Sequence, residues 1–180
     1  MENSYLGNLN TKRKPAVISI IAAGSNSGKT TLIEKLVKIL KDRNYRVGVL
    51  KHGTHEFEID KEGKDTYRFT RAGADNVIIS NSSKMAIMKV LPQELDIEEV
   101  LRLFNDIDIV FIEGFRENKY PKIEVHRSKI NDELLYQNSK RVDHEKYIGI
   151  ASDEPLDMPI PVFNLNDACS IADFIENGYI

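Results

Sequence analysis

An apolar segment followed at once by a glycine-rich loop and an amphipathic segment dominates the first fifty residues. Residues Ala16–Ala23 are apolar apart from Ser19 and predict a strand buried on both faces. Gly24–Gly28 predicts a loop, and Lys29–Asp42 carries leucine and isoleucine at helical spacing. Tyr45–Leu50 is a second short apolar strand. This order predicts a βαβ unit, and hence a parallel sheet with a right-handed crossover.

The loop between this strand and helix carries a phosphate-binding pattern, the P-loop. The pattern is Gly, four residues, then Gly-Lys-Ser/Thr. The chain completes it with Gly28, Lys29 and Thr30 but begins it with Ala23, next to Gly24. The alternative is a chance Gly-Lys-Thr at a helix start. The buried strand before the motif and the amphipathic helix after it favour nucleotide binding.

The residue types of this loop suit a nucleoside triphosphate with Mg²⁺. Glycine lets successive backbone N–H groups point at phosphate oxygens, and the helix N-terminus adds its own N–H groups. Lys29 is predicted to reach the β- and γ-phosphates as a catalytic residue, and the Thr30 hydroxyl to bind Mg²⁺. The predicted nucleotide-binding residues of the loop are Gly24, Ser25, Asn26, Ser27, Gly28, Lys29, Thr30 and Thr31.

A P-loop protein also needs a carboxylate near the magnesium, usually at the end of a buried neighbouring strand. Residues 109–112 are apolar and are followed by Glu113 and Gly114, so Glu113 is the predicted metal-linked and catalytic carboxylate. Asp108 begins the same strand and is predicted at the opposite end of the sheet. The alternative for Glu113 is a solvated strand terminus.

The rest of the chain predicts one α/β domain with a three-layer P-loop NTPase fold. Residues 76–80 and 84–90 predict an antiparallel hairpin that extends a mostly parallel sheet. Asp96 and Glu99 have capping-box spacing for a helix. Pro121–His126 alternates like an edge or half-exposed strand. Residues 1–14 predict a flexible N-terminal arm and residues 15–180 a single domain.

Composition narrows the class of protein. The net charge of −3 gives no general attraction to nucleic acid or to anionic membrane, and neither is expected as a partner. No export signal or membrane-spanning stretch is evident, so a cytoplasmic protein is expected. The single cysteine, Cys169, precludes an internal disulfide, and its apolar-periodic segment predicts a buried side chain.

Seven segments together resemble one known family. They are Gly24–Leu32, Val49–His55, Asp60–Tyr67, Arg71–Ala74, Asp108–Phe115, Pro121–Arg127 and Ala151–Asp153. In this combination the chain resembles molybdopterin-guanine dinucleotide biosynthesis protein B over roughly residues 15–170. The departures are Ala23 at the first P-loop position and Gly53, an apparent one-residue change within the Lys-His loop.

The resemblance implies a specific function. It implies a protein that binds GTP with Mg²⁺, hydrolyses GTP weakly, and forms a homodimer. It also implies an adaptor for the molybdenum cofactor guanylyltransferase, the enzyme that joins GMP to molybdopterin. The fold would belong with GTPases that include metal-delivery proteins for nickel enzymes.

The loop after the second strand allows several interpretations. As a switch segment it would position magnesium and phosphate, with Asp60 as the metal carboxylate. As a transition-metal site it would use His52 and His55, although a histidine pair without cysteines is a weak signal. A third interpretation is a pocket for the anionic pterin, and the last is a solvated polar loop. The candidate residues of this loop are Lys51, His52, His55, Asp60, Lys64 and Asp65.

A carboxylate is the natural partner of guanine, because it accepts from both the ring N1–H and the exocyclic amine. Asp153 ends the strand 147–152 and is the predicted guanine-binding residue, with Asn164 or Asn166 as a second candidate. The alternative is a turn or capping aspartate before Pro155. Arg116 follows Glu113 closely and is equally compatible with an anion-binding and a solvated position.

Two other functions share the P-loop. A small-molecule or nucleotide kinase would carry an arginine-bearing lid over the phosphates, and the short segment 138–141 offers one lysine and one arginine. A metal-delivery GTPase is favoured by the two histidines and disfavoured by the single cysteine. The GTP-binding adaptor is the leading hypothesis.

Overall fold

The computed structural model of the protein describes residues 14–53, 59–130, 133–138 and 143–180. The strands are β1 Ala16–Ile21, β2 Val47–Lys51, β3 Asn76–Ser80, β4 Met85–Lys89, β5 Ile109–Glu113, β6 Lys122–His126, β7 Tyr147–Ser152 and β8 Val162–Asn164. The helices are α1 Lys29–Asp42, α2 Asp65–Arg71, α3 Ile97–Leu101 and α4 Ala168–Tyr179. Short 3₁₀ turns lie at Leu135–Gln137 and His144–Lys146.

The chain divides into two compact units. One comprises Met1–His52 and Leu101–Ile180, and the other Gly53–Val100. The predicted arm, residues 1–14, lies outside the described residues except for Lys14. The single domain predicted for residues 15–180 stays a prediction.

The first unit is built on a six-stranded sheet with the order β2-β5-β1-β6-β7-β8. All its pairings are parallel, so the strands end at one common edge. Helices α1 and α4 pack on one face of the sheet, over Ile18, Ile20 and Phe111. The P-loop segment follows β1, which lies in the interior of the sheet with β5 and β6 beside it.

The second unit contains α2 and the β3–β4 hairpin. The hairpin pairs Asn76 with Lys89 and Ser80 with Met85. The Asn81 side chain accepts hydrogen bonds from the backbone N–H groups of Ser83 and Lys84 and so shapes the turn. The α/β class, the mostly parallel sheet and the antiparallel hairpin are confirmed.

Strand β6 corrects the expectation of an edge or half-exposed strand. It lies between β1 and β7, and all five of its residues are buried, including Lys122 and Glu124. The oxygens of Glu124 accept backbone N–H groups from Leu135 at 2.7 Å and Tyr136 at 2.9 Å. Burial raises the pKa of Glu124 and lowers the pKa of Lys122. Lys122 Nζ donates to backbone carbonyls, among them that of Tyr120 at 3.0 Å.

The expectation of a buried Cys169 is also wrong, because its side chain is exposed. Helix α4 buries Ala168, Ile171, Ala172 and Ile175, so Cys169 does not belong to the face that contacts the sheet. Within the described chain, no helix combines the length and apolar character needed to cross a membrane. The cytoplasmic location stays a prediction.

Candidate functional site

The loop between β1 and α1 adopts backbone conformations typical of a phosphate-binding turn. Gly28, immediately before α1, has φ of 95°, which favours glycine, and Asn26 has φ of 59°. Because glycine has no side chain to cap the helix, the first N–H groups of α1 depend on another partner. The first turn contains no acidic residue, and an anion is the partner that both the free N–H groups and the helix dipole favour.

Lys29 folds back over this loop. Its Nζ donates to the Gly24 carbonyl at 2.9 Å and to Ser27 Oγ at 3.2 Å. Ser27 Oγ in turn donates to the same carbonyl at 3.1 Å. The pKa of Lys29 is lowered, mainly by burial. The charge of Glu113 raises this pKa, and the charges of Arg116 and Lys51 lower it. A phosphate can replace these acceptors with charged oxygens, which form stronger hydrogen bonds with an ammonium group.

Thr30 and Glu113 meet at the carboxyl edge of the sheet. Glu113 ends β5 and is paired with Ile20 of β1. Thr30 Oγ1 lies 3.1 Å from each carboxylate oxygen of Glu113. Lys51, the last residue of β2, places Nζ 3.8 Å from Glu113 Oε1. A hydroxyl and a carboxylate side by side are hard oxygen ligands, so these two residues fit the predicted Mg²⁺ and would hold it.

The backbone just after Glu113 packs tightly against the end of β2. His52 N donates to the Glu113 carbonyl at 2.8 Å. Gly114 has φ of 99°, and a Cβ atom there would lie 2.9 Å from the His52 carbonyl oxygen. The His52 ring stacks on Phe115, with centroids 3.8 Å apart. Of the loop residues proposed for a switch or pterin pocket, Lys51 and His52 therefore lie beside Glu113.

Asp60 and Asp65 belong to the second unit. Thr66 Oγ1 donates to Asp60 Oδ1 at 2.7 Å, and Asp60 Oδ2 is buried with no hydrogen-bond partner among the described residues. Asp65 begins α2, is largely exposed, and lies 3.8 Å from Arg68. His55 lies outside the described residues. The metal role of Asp60 stays a prediction, as do the roles proposed for Asp65 and His55.

No cluster of three or more His, Cys, Asp or Glu side chains suited to a metal ion occurs among the described residues. The transition-metal interpretation of the second loop therefore gains no support from the part of the chain that is described. It stays a prediction because His55 is not among those residues.

Asp153 follows β7 at the same edge of the sheet. Its Oδ1 accepts a hydrogen bond from the Ser128 backbone N–H at 3.1 Å, and its side chain is exposed. Asn164 ends β8 and is paired with Ser152, so the second base candidate lies at the same sheet edge. Asp153 thus fixes the turn after β6, and its role in guanine binding stays a prediction.

Two arginines contact the loop. Arg116 Nη2 donates to the Ala23 carbonyl at 2.6 Å. This contact puts Arg116 beside the P-loop, as the anion-binding interpretation requires. Arg127 lies against Gly28 and was missed by the sequence analysis. The signal that finds it is positional: Arg127 directly follows β6, which is paired with β1 and ends at the same edge.

Comparison with known proteins identifies the family. The family described as "Molybdopterin guanine dinucleotide synthesis protein B" (MobB) matches residues 17–153. A Haemophilus influenzae "Molybdopterin-guanine dinucleotide biosynthesis adapter protein" is 38% identical, over 87% of this chain and 86% of its own. The Escherichia coli protein of the same name is 34% identical, over 86% and 88%.

The solved structures agree with the sequence comparison. A crystal structure described as "molybdopterin-guanine biosynthesis protein B (mobB)" has a TM-score of 0.68 to this chain at 26% identity. The similarity covers 89% of this chain and 98% of that one. The family match, the curated relatives and the fold agree with the resemblance seen in the sequence. The chain belongs to the MobB family.

Proposed function

We propose that this protein is a GTP-binding adaptor of molybdopterin-guanine dinucleotide biosynthesis that hydrolyses GTP weakly and assists the molybdenum cofactor guanylyltransferase. The observation that carries the proposal is the contact of Thr30 with both oxygens of Glu113, next to a P-loop whose Lys29 folds onto Gly24. The relatives named as adapter proteins cover most of the chain and support the adaptor role.

Different residues of the site bind different parts of the nucleotide and its metal ion. Backbone N–H groups from Gly24 to Thr31 hold the phosphates, and Lys29 supplies a positive charge. Thr30 and Glu113 hold Mg²⁺, which supplies charge neutralisation to the phosphates when bound. Glu113 already contacts Thr30 and lies near Lys51, so it is poorly placed to act as a general base. This arrangement supports slow hydrolysis.

Calorimetric titration of the wild-type protein tests the proposal. We expect GTP with Mg²⁺ to bind with higher affinity than ATP with Mg²⁺, and removal of Mg²⁺ by EDTA to weaken GTP binding about tenfold or more. Slow release of phosphate from GTP would favour the adaptor over a kinase. A preference for ATP, together with phosphoryl transfer to a metabolite, would replace the proposal with the kinase function.

Asp153→Ala tests guanine recognition. If the carboxylate binds the guanine edge, the variant should lose about tenfold or more of the preference for GTP over ATP, because a charge-assisted hydrogen-bond pair is removed. Calorimetry with both nucleotides measures the ratio. Asp157→Ala, which removes an exposed carboxylate four residues further on, is the matched control. A ratio in Asp153→Ala equal to that of the wild type would exclude the guanine role.

The proposal includes a homodimer and the guanylyltransferase as partners. The β3–β4 hairpin supports self-association, because the paired residues Ile78 and Ile87 expose 60% and 56% of their surfaces. Sedimentation analysis should give twice the mass of one chain, and a single-chain mass would contradict the dimer. Direct binding of molybdopterin near Lys51 and His52 is part of the same proposal, and fluorescence titration with the pterin tests it.

A further inference from the structure

Arg127 reaches the P-loop from the neighbouring strand. It directly follows β6, whose Ser19–Lys122 and Ile21–Glu124 pairings run parallel to β1. The two strands therefore leave the sheet at the same edge, so the residue after β6 lies beside the loop after β1. This position results from the strand order and not from proximity in the sequence.

The guanidinium group of Arg127 lies next to Gly28. A Cβ atom added at Gly28 would lie 3.4 Å from both Nε and Nη2 and 3.5 Å from Cζ. Gly28 is the N-cap residue of α1, immediately before Lys29, and has φ of 95°. The planar cation therefore lies beside the helix N-terminus, where the free N–H groups favour an anion.

The Nε atom of Arg127 is buried and has no hydrogen-bond partner in the described part of the chain. No salt bridge between described residues includes Arg127. An unpaired, buried donor on a charged group is rare in folded proteins, because its desolvation is not compensated. A ligand with charged oxygen acceptors would supply the missing partner.

Positive charge accumulates around the loop. Arg116 donates to the carbonyl of Ala23, and the charges of Arg116 and Lys51 both act on Lys29. Glu113 is the carboxylate whose charge acts on the same ammonium group. Arg127, which lies next to Gly28, is a further cation at this loop. The excess of positive charge suits a ligand that carries several negative charges.

We infer that Arg127 binds the phosphates of the nucleotide held by the P-loop. The inference rests on the proposed nucleotide-binding function and adds a residue to that site. A guanidinium group pairs two parallel N–H groups with two phosphate oxygens, a geometry that lysine cannot reproduce. Asp153 holds the turn that begins at Arg127 through its hydrogen bond with Ser128. Asp153 is thus also a positioning residue for Arg127.

Arg127→Gln, measured by calorimetry with GTP, GDP and guanosine in the presence of Mg²⁺, tests this inference. The variant should bind GTP and GDP about 10- to 100-fold more weakly than the wild type and bind guanosine with unchanged affinity. Arg127→Lys keeps the positive charge but loses the two parallel N–H donors. Its affinity for GTP should lie between those of the wild type and Arg127→Gln. Arg102→Gln, a change at an exposed arginine, is the matched control and should behave like the wild type.

The outcomes separate this inference from the proposed function. If the wild type does not bind GTP, both are wrong. If the wild type binds GTP, Lys29→Ala does not, and Arg127→Gln binds like the wild type, only the role of Arg127 is wrong. An equal loss for guanosine and GTP would indicate a purely structural role and would also overturn it.

A second measurement does not require a substitution at Arg127. The Nε–Hε resonance of Arg127 in the wild-type protein should shift when pyrophosphate with Mg²⁺ is added and should not shift with guanosine. An unchanged resonance in pyrophosphate concentrations that displace GTP would contradict the inference even if Arg127→Gln fails to fold.

Discussion

Lys29→Ala is expected to weaken GTP binding by about two to three orders of magnitude. The ammonium group makes hydrogen bonds within the loop to Gly24 and Ser27, and nucleotide phosphates would replace these acceptors with charged ones. Two charge-assisted hydrogen bonds correspond to about 3–4 kcal/mol of binding free energy. Calorimetry with GTP and Mg²⁺ measures the loss directly.

The fold should tolerate this substitution. Lys29 opens α1 and is not among the buried residues of that helix, and alanine is the best helix former. Lys38→Ala removes an exposed lysine from the same helix and should leave GTP affinity within about twofold of the wild type. GTP affinity in Lys29→Ala equal to that of Lys38→Ala would place the nucleotide site away from the P-loop.

Phe111→Ala is expected to cost about 3–5 kcal/mol of unfolding free energy. Phe111 is fully buried in β5, between β1 and β2, and packs in the core beneath α1 and α4. Its removal leaves a cavity that the surrounding residues fill only in part, because β5 is hydrogen-bonded to β1 and β2 and the interior is closely packed. Urea unfolding followed by far-ultraviolet circular dichroism measures the change.

The control for Phe111→Ala is Leu103→Ala in the same unit. Leu103 exposes 71% of its surface, so its removal should change the unfolding free energy by less than about 0.5 kcal/mol. A typical domain is stable by about 5–15 kcal/mol, so the loss at Phe111 would be a large fraction of the total. A change at Phe111 as small as that at Leu103 would contradict the central packing of β5.

The parts of the fold that depend on local sequence could be predicted. The β1–loop–α1 segment follows from apolar runs and glycine positions. The Asp96–Glu99 capping box forms as expected: Glu99 N donates to Asp96 Oδ1 at 2.7 Å, and Asp96 N donates to Glu99 Oε2 at 3.0 Å. The Asn81 turn likewise uses hydrogen bonds within four residues of the chain. In each case the partners are close in sequence.

The parts that depend on distant partners could not be predicted. The alternating pattern of β6 indicated an edge or half-exposed strand, but the strand is buried, and Glu124 accepts hydrogen bonds from backbone N–H groups eleven and twelve residues later. Arg127 lies against Gly28 only because β6 is paired with β1, and no local pattern reveals that strand order. The approach of Thr30 to Glu113 was expected from the motif, since P-loop chemistry requires such a carboxylate.

The parallel pairing of the sheet affects the rate at which the chain folds. Strand β1 pairs with β5 and β6, which lie far along the chain: Ala16 pairs with Ile109, and Ser19 pairs with Lys122. Such long-range closure slows folding, because chain entropy is lost before the strand contacts form. During synthesis the apolar residues of β1 and α1 therefore leave the ribosome well before the strands that cover them. Until then these apolar residues are exposed, and exposed apolar surface makes a folding chain prone to aggregation.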